Sequence, residues 1–127
     1  MARALPRVRN LSAAVLEVID SNRRDGYVPT RFIGITQHGT APNLLQLCTN
    51  LIMNPATMEW LETGLEAYPT CLFVEDFVSR FGAEWGFDQA TINQAKARAE
   101  RFDQVAGAVR YTSPTDVASQ KAPISGT

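Results

Sequence analysis

Apolar side chains recur along this chain at helical spacing, in short runs separated by glycine, proline and capping residues. Leu11, Ala14, Val15, Val18 and Ile19 share one side, with Glu17, Asp20 and Arg24 opposite, which predicts a first helix over Leu11–Arg24. Asp25-Gly26 stops it, because glycine accepts the left-handed conformation that ends a helix. Pro29 suits the first turn of a second helix, where a missing N–H costs nothing; Phe32 and Ile35 face one side and Gly39 ends it. Gly34 lowers helix propensity there, so close packing against a neighbour is expected at that position.

Thr40 is the expected cap of a third helix, with Pro42 in its first turn. Its stripe of Leu44, Leu47, Cys48, Leu51 and Ile52, broadened by Leu45, predicts a central, nearly surrounded helix. Asn54 caps and Pro55 starts a fourth helix, with Met58, Leu61, Leu65 and Tyr68 inside, Glu59, Glu62 and Glu66 outside, and Pro69 as the stop. Val74, Phe77, Val78 and Phe81 define a short fifth helix closed by Gly82, with Glu75 and Asp76 complementing its dipole. Trp85-Gly86-Phe87 is an aromatic turn. Asp88 then caps a sixth helix through Ala106, with Ile92, Ala95, Ala99 and Phe102 as its stripe. Strand signals are absent; the nearest candidate, Cys71–Val74, runs into a helical pattern. The predicted fold is all-α, a compact bundle of about six short helices.

The chain divides into a basic arm at 1–10, a helical domain at 11–111 and a tail at 112–127. The tail carries Pro114, Pro123 and Gly126 without a periodic apolar face, and is expected to be disordered. The remainder is long enough for one core without metal or disulfide support. Cys48 and Cys71 lie among apolar residues and read as buried free thiols. No apolar run is long enough to span a membrane and no secretory signal is apparent, so a cytoplasmic location is expected.

Charge is unevenly spread around a net of −1. Residues 1–31 hold six arginines against Glu17, Asp20 and Asp25, and residues 32–92 hold Arg80 against seven acids. Residues 93–111 are basic again through Lys96, Arg98, Arg101 and Arg110. Such blocks read first as solvated helix faces. If the first and last helices pack together, the two basic blocks form one patch for a phosphate backbone, with Arg7, Arg9, Arg23 and Arg24 as the contacts.

Chemistry is sparse. His38, the single histidine, sits in a His-Gly-Thr that resembles part of a subtilisin-like protease, without the rest of that constellation, and reads as a surface residue at a helix C-terminus. One histidine and two separated cysteines do not make a metal site, and no glycine cluster resembles a phosphate cradle. Glu75 and Asp76 are adjacent, so their side chains diverge and no working carboxylate pair is implied. The chain is read as a non-enzyme with no cofactor and no metal.

The segment Gly26-Tyr27-Val28-Pro29-Thr30-Arg31-Phe32 is followed by Gly39, Leu47, Leu51-Ile52, Trp60-Leu61 and Val74-Glu75-Asp76-Phe77-Val78. Over Gly26–Phe102 this pattern resembles a small bacterial all-helical domain of uncharacterised function, marked by a GYxPTRF motif. The resemblance implies an intracellular bacterial protein and carries no catalytic residue. Phe73 stands where that domain has threonine or serine, so another group must cap the fifth helix.

Within the motif, a cation on the first turn of a helix opposes the dipole, so Arg31 needs a partner. An internal ion pair with Asp20, Asp25 or a middle-block acid is the plain reading; a clamp on a phosphate or carboxylate at an interface is the functional one. Tyr27 is expected at the edge of the core. Trp60, one position off its stripe, and Trp85 are the candidate interface anchors. The expected function is a non-catalytic protein-interaction module. The alternatives are a nucleic-acid-binding helical domain, or a small regulatory or inhibitory protein acting on a larger enzyme.

Overall fold

The computed structural model describes residues 2–39 and 41–112. Six helices account for most of them: α1 (Leu11–Arg24), α2 (Thr30–His38), α3 (Leu44–Met53), α4 (Thr57–Ala67), α5 (Val74–Phe81) and α6 (Gln89–Ala106). The all-α expectation holds, with one addition. Arg3–Ala4 (β1) and Tyr111–Thr112 (β2) form a short parallel ladder, Arg3 opposite Tyr111 and Ala4 opposite Thr112. Thr112 therefore belongs to the fold, and so does the basic arm: Leu5 is buried in the core, and Arg3 pairs with Asp25 at 2.8 Å. Two residues per strand are too few to leave a periodic signal in the sequence. The expected disorder over the rest of the tail lies outside the described residues.

The helix ends follow the local chemistry. Asn10, Asn43 and Asp88 each accept a first-turn N–H, from Ala13, Gln46 and Thr91 respectively. Asn43 thus caps α3; the expected cap, Thr40, lies outside the described residues. Gly26 ends α1 at φ +92°, and Gly107 ends α6 at φ +80°. Pro29 is the residue before α2. Asn54 holds a turn through the Ala56 N–H, so α4 starts at Thr57, two residues past Pro55. The group that replaces the missing cap of α5 is Asp76, whose Oδ2 accepts the Phe73 N–H at 2.9 Å.

The surrounded helix is α5. Every residue from Cys71 to Val78 is buried, whereas α3 buries Cys48, Leu51 and Ile52 and leaves Leu44, Leu45 and Leu47 half-covered. Both α1 and α6 pack on α5. The acidic start of α5 is therefore internal, and each carboxylate is matched by an arginine. Arg98 of α6 meets Glu75 at 3.1 Å, and Arg110 meets Asp76 at 2.6 Å. All four side chains are almost fully buried. Arg98 also donates to Thr57 Oγ1 at 2.7 Å and to the Asn54 carbonyl at 2.7 Å. Arg110 adds the Cys71 carbonyl and Asp103, and lies over the Phe73 and Phe102 rings. Glu75 and Asp76 keep their expected place in the first turn of α5, whereas the reading of Arg98 and Arg110 as part of a basic patch is thereby corrected. Removing such charges from water is costly unless each finds its partner, as it does here.

Leu72 lies in the link between α4 and α5. Its N–H and carbonyl are both held by the buried Asn22 side chain, at 2.9 and 2.8 Å, so Asn22 stands in for a neighbouring strand. Cys48 and Cys71 are buried free thiols, as expected, and burial pushes both up to about 12. No helix among the described residues is long and apolar enough to cross a membrane.

Candidate functional site

α2 is the least anchored helix: none of its residues is fully buried. It follows the Gly26–Phe32 corner, packs on α3, and faces α4 across a cavity of about 610 Å³. Tyr27, Pro29, Phe32, Trp60 and Leu61 form apolar walls. Leu51, Thr57, Phe73, Val74 and Glu75 extend the lining inward to buried residues. Arg31, Glu59 and Thr63 are exposed and also line it.

Tyr27 is placed by a missing side chain. Gly64 of α4 faces it, and a Cβ there would stand 3.2 Å from the Tyr27 hydroxyl. The Tyr27 ring packs on Tyr68 at 5.2 Å between centroids. Half-burial raises the Tyr27 hydroxyl above its ordinary value. This is the core-edge anchor expected from the sequence. Gly34 is different: a Cβ there would meet nothing within 4 Å, so the expected close packing at that glycine is absent.

Arg31 makes no ion pair among the described residues. The expected internal salt bridge is replaced by a cation–π contact, with the guanidinium carbon 4.6 Å from the centroid of the Trp60 ring. Trp60 is half-buried beneath it. No side chain caps α2, and the Arg31 and Phe32 N–H groups make no backbone hydrogen bond among the described residues. The rim therefore holds a guanidinium with no carboxylate partner among the described residues, beside an apolar hollow.

At the inner end, Glu75 uses one carboxylate oxygen on Arg98, while its Oε1 is buried with no hydrogen-bond partner, as is Arg98 Nε. Burial pushes the Glu75 carboxyl above the usual carboxylate range, opposed by Arg98. Glu75 was not among the residues expected at a site. The signal for the pair was present: Thr91, Ala95, Arg98 and Phe102 fall at i, i+4, i+7 and i+11, so Arg98 lies on the inner face of its helix.

The other expected residues do not converge here. Trp85 packs on Phe81 at 5.7 Å, against the main core and apart from the cavity. Arg7 and Arg9 are exposed and line a shallow groove with Val8, Phe81 and Glu84. Arg23 and Arg24 occupy the last turn of α1, and Arg24 pairs with Glu17 at 3.3 Å. The two arginine pairs thus lie at opposite ends of a helix about 20 Å long. α6 packs chiefly on α5, α4 and α3 rather than on α1, and its Arg98 and the following Arg110 are buried, so the two basic blocks do not form the expected surface patch. His38 is exposed at the end of α2. No protein-family model matches the chain, and no curated protein or solved structure matches it either.

Proposed function

We propose that the chain is a non-catalytic protein-interaction module that binds through the cavity under the Gly26–Phe32 corner. The observation that carries this reading is the meeting of three expected interface residues, Tyr27, Arg31 and Trp60, around one apolar hollow. Its size falls in the range of about 300–1,000 Å³ that binding pockets occupy. An apolar hollow with a polar rim suits a protruding side chain of a partner. Trp60 supplies the aromatic wall and Arg31 the orienting charge. Trp85 loses its place as an anchor in this reading, because it faces elsewhere.

A photo-crosslinking residue at Val28, which is 54% exposed and lines the cavity, tests the site. One stoichiometric protein adduct is expected from that position and none from Lys96, exposed on α6. Filling the mouth with Thr63→Trp should abolish the adduct while leaving the helical circular dichroism unchanged. An adduct that persists in the filled variant, or forms equally from Lys96, contradicts the proposal.

A further inference from the structure

We infer that the partner is a second copy of this chain: two copies close their cavity mouths against each other about a two-fold axis, Arg31 of each meeting Glu59 of the other. This rests on the interaction reading above and names its partner.

The mouth of the cavity is framed by two stretches of chain that carry opposite charge. One contributes Val28, Thr30 and Arg31. The other contributes Glu59, Thr63 and Ala67, spaced at i, i+4 and i+8 along one face of α4. All six are exposed. Arg31 has no carboxylate partner and Glu59 has no cationic partner among the described residues, and the two do not pair with each other. The Trp60 ring takes up the Arg31 guanidinium instead, 4.6 Å from its centroid, which holds the charge at the mouth.

An acidic partner approaching this mouth meets Glu59, and a basic one meets Arg31. A surface with both signs in reversed order satisfies both, and the same surface turned about a two-fold axis is such a partner. With the axis lying in the interface and running between the two stretches, the Val28–Arg31 side of one copy faces the α4 side of the other. An Arg31–Glu59 pair then forms at each end, and the planar guanidinium suits the carboxylate. Thr63 and Ala67 are small, so a second chain can come close to α4. Val28 is 54% exposed and apolar, and in this arrangement it lies over the apolar hollow of the other copy. A net charge of −1 gives the two copies little long-range repulsion. The patch is small, which places the dimer in the weak class, with a Kd of about 10–100 μM.

Sedimentation velocity of the full chain across a concentration series reads the association. The unmodified chain is expected to pass from monomer to dimer. Arg31→Glu and Glu59→Arg should each weaken the dimer by about tenfold or more, since each sets like charges opposite one another. An equimolar mixture of the two variants should regain the original association, because every contact again joins opposite signs. A merely structural effect of either substitution would not recover on mixing. Both residues are exposed, so each variant should keep the helical circular dichroism. A photo-crosslinking residue at Val28 should give a covalent dimer of the purified chain. If a dimer forms but the mixture does not recover, another surface carries it and the inference falls. If the chain stays monomeric to about 1 mM and the Val28 probe captures a different protein, the interaction site stands and its assignment to a second copy falls. If neither a dimer nor any adduct forms, both fall.

Discussion

The Arg31 guanidinium lies 4.6 Å above the Trp60 ring, joining the first turn of α2 to α4 across the mouth of the cavity. The contact is exposed on the Arg31 side, so it contributes only about 0.5–1 kcal/mol to stability. Arg31→Leu should leave the urea midpoint nearly unchanged. Trp60 emission, read in a Trp85→Phe background, should change in intensity and wavelength, because the ring loses its covering charge. A loss of several kcal/mol instead would mean that Arg31 is a structural residue and not a rim residue.

The Glu75–Arg98 pair makes the opposite prediction. Both groups are buried beside one another at 3.1 Å, so removing one strands the other charge. Arg98→Met should destabilise by about 3–5 kcal/mol. Arg98→Met combined with Glu75→Met should destabilise less than the arginine change alone, since no charge remains uncompensated. Chemical denaturation of the two singles and the double gives the coupling directly. Additive losses would show that the pair acts by volume alone.

The division between these two arginines marks how far the sequence could be read. Hydrophobic spacing and caps placed α1, α5 and α6 at their observed bounds, because Gly26, Gly82 and Asp88 act on their own neighbours. What spacing could not give was which helix lies at the centre. α3 has the richer apolar stripe, yet α5 is the covered one, since its acids are neutralised by arginines 23 and 34 residues away in sequence. Such long-range pairing leaves no local pattern at Glu75 or Asp76. Tyr27 and Trp60, named as candidate interface residues from their chemistry, both line the cavity. Their meeting with Arg31 was not legible, because it depends on how the start of α2 is set against α4 across the cavity.

Gly34 and Gly64 separate backbone from packing effects. A methyl group at Gly34 meets open space inside α2, so Gly34→Ala should stabilise the fold by about 0.5–1 kcal/mol through helix propensity. Gly64→Ala gains the same propensity but presses on the Tyr27 hydroxyl at 3.2 Å. It should shift the Tyr27 ring resonances and bring little or no gain in thermal midpoint. Equal stabilisation by both substitutions would show that Tyr27 is free to move aside.

Burial sets the alkaline limit of the fold. Cys48 and Cys71 are pushed up to about 12 from an ordinary 9.0, and Tyr111 up to about 12 from 10.0. In each case the folded protein holds its proton more tightly than the unfolded chain does. Below pH 9 both states are protonated and these groups add no pH dependence. Between about 9 and 12 the unfolded chain releases protons that the fold retains, so stability falls as pH rises. Urea midpoints should be flat with respect to these groups from pH 7 to 8.5 and decline from pH 9 upward. Cys48→Ala, despite a lower midpoint overall, should show a shallower decline. An unchanged slope would remove Cys48 from the account.

The arginine distribution predicts weak nucleic-acid binding. Arg98 and Arg110 are buried, and Arg3, Arg24 and Arg101 are each paired with a carboxylate. Arg7 and Arg9 stand before α1, Arg23 lies in its last turn, Arg31 is at the start of α2 and Lys96 is on α6, so the remaining positive charge among the described residues is scattered. A strong phosphate footprint needs several cations along one face, each releasing a counterion. Fluorescence anisotropy with a labelled duplex at low salt is expected to show no binding tighter than about 100 μM. Replacing Arg7, Arg9, Arg23 and Arg24 together by glutamine should leave that weak signal nearly unchanged. Tight binding that falls steeply with salt and vanishes in the fourfold variant would instead make these four arginines the functional surface, and the cavity under α2 a feature of the fold.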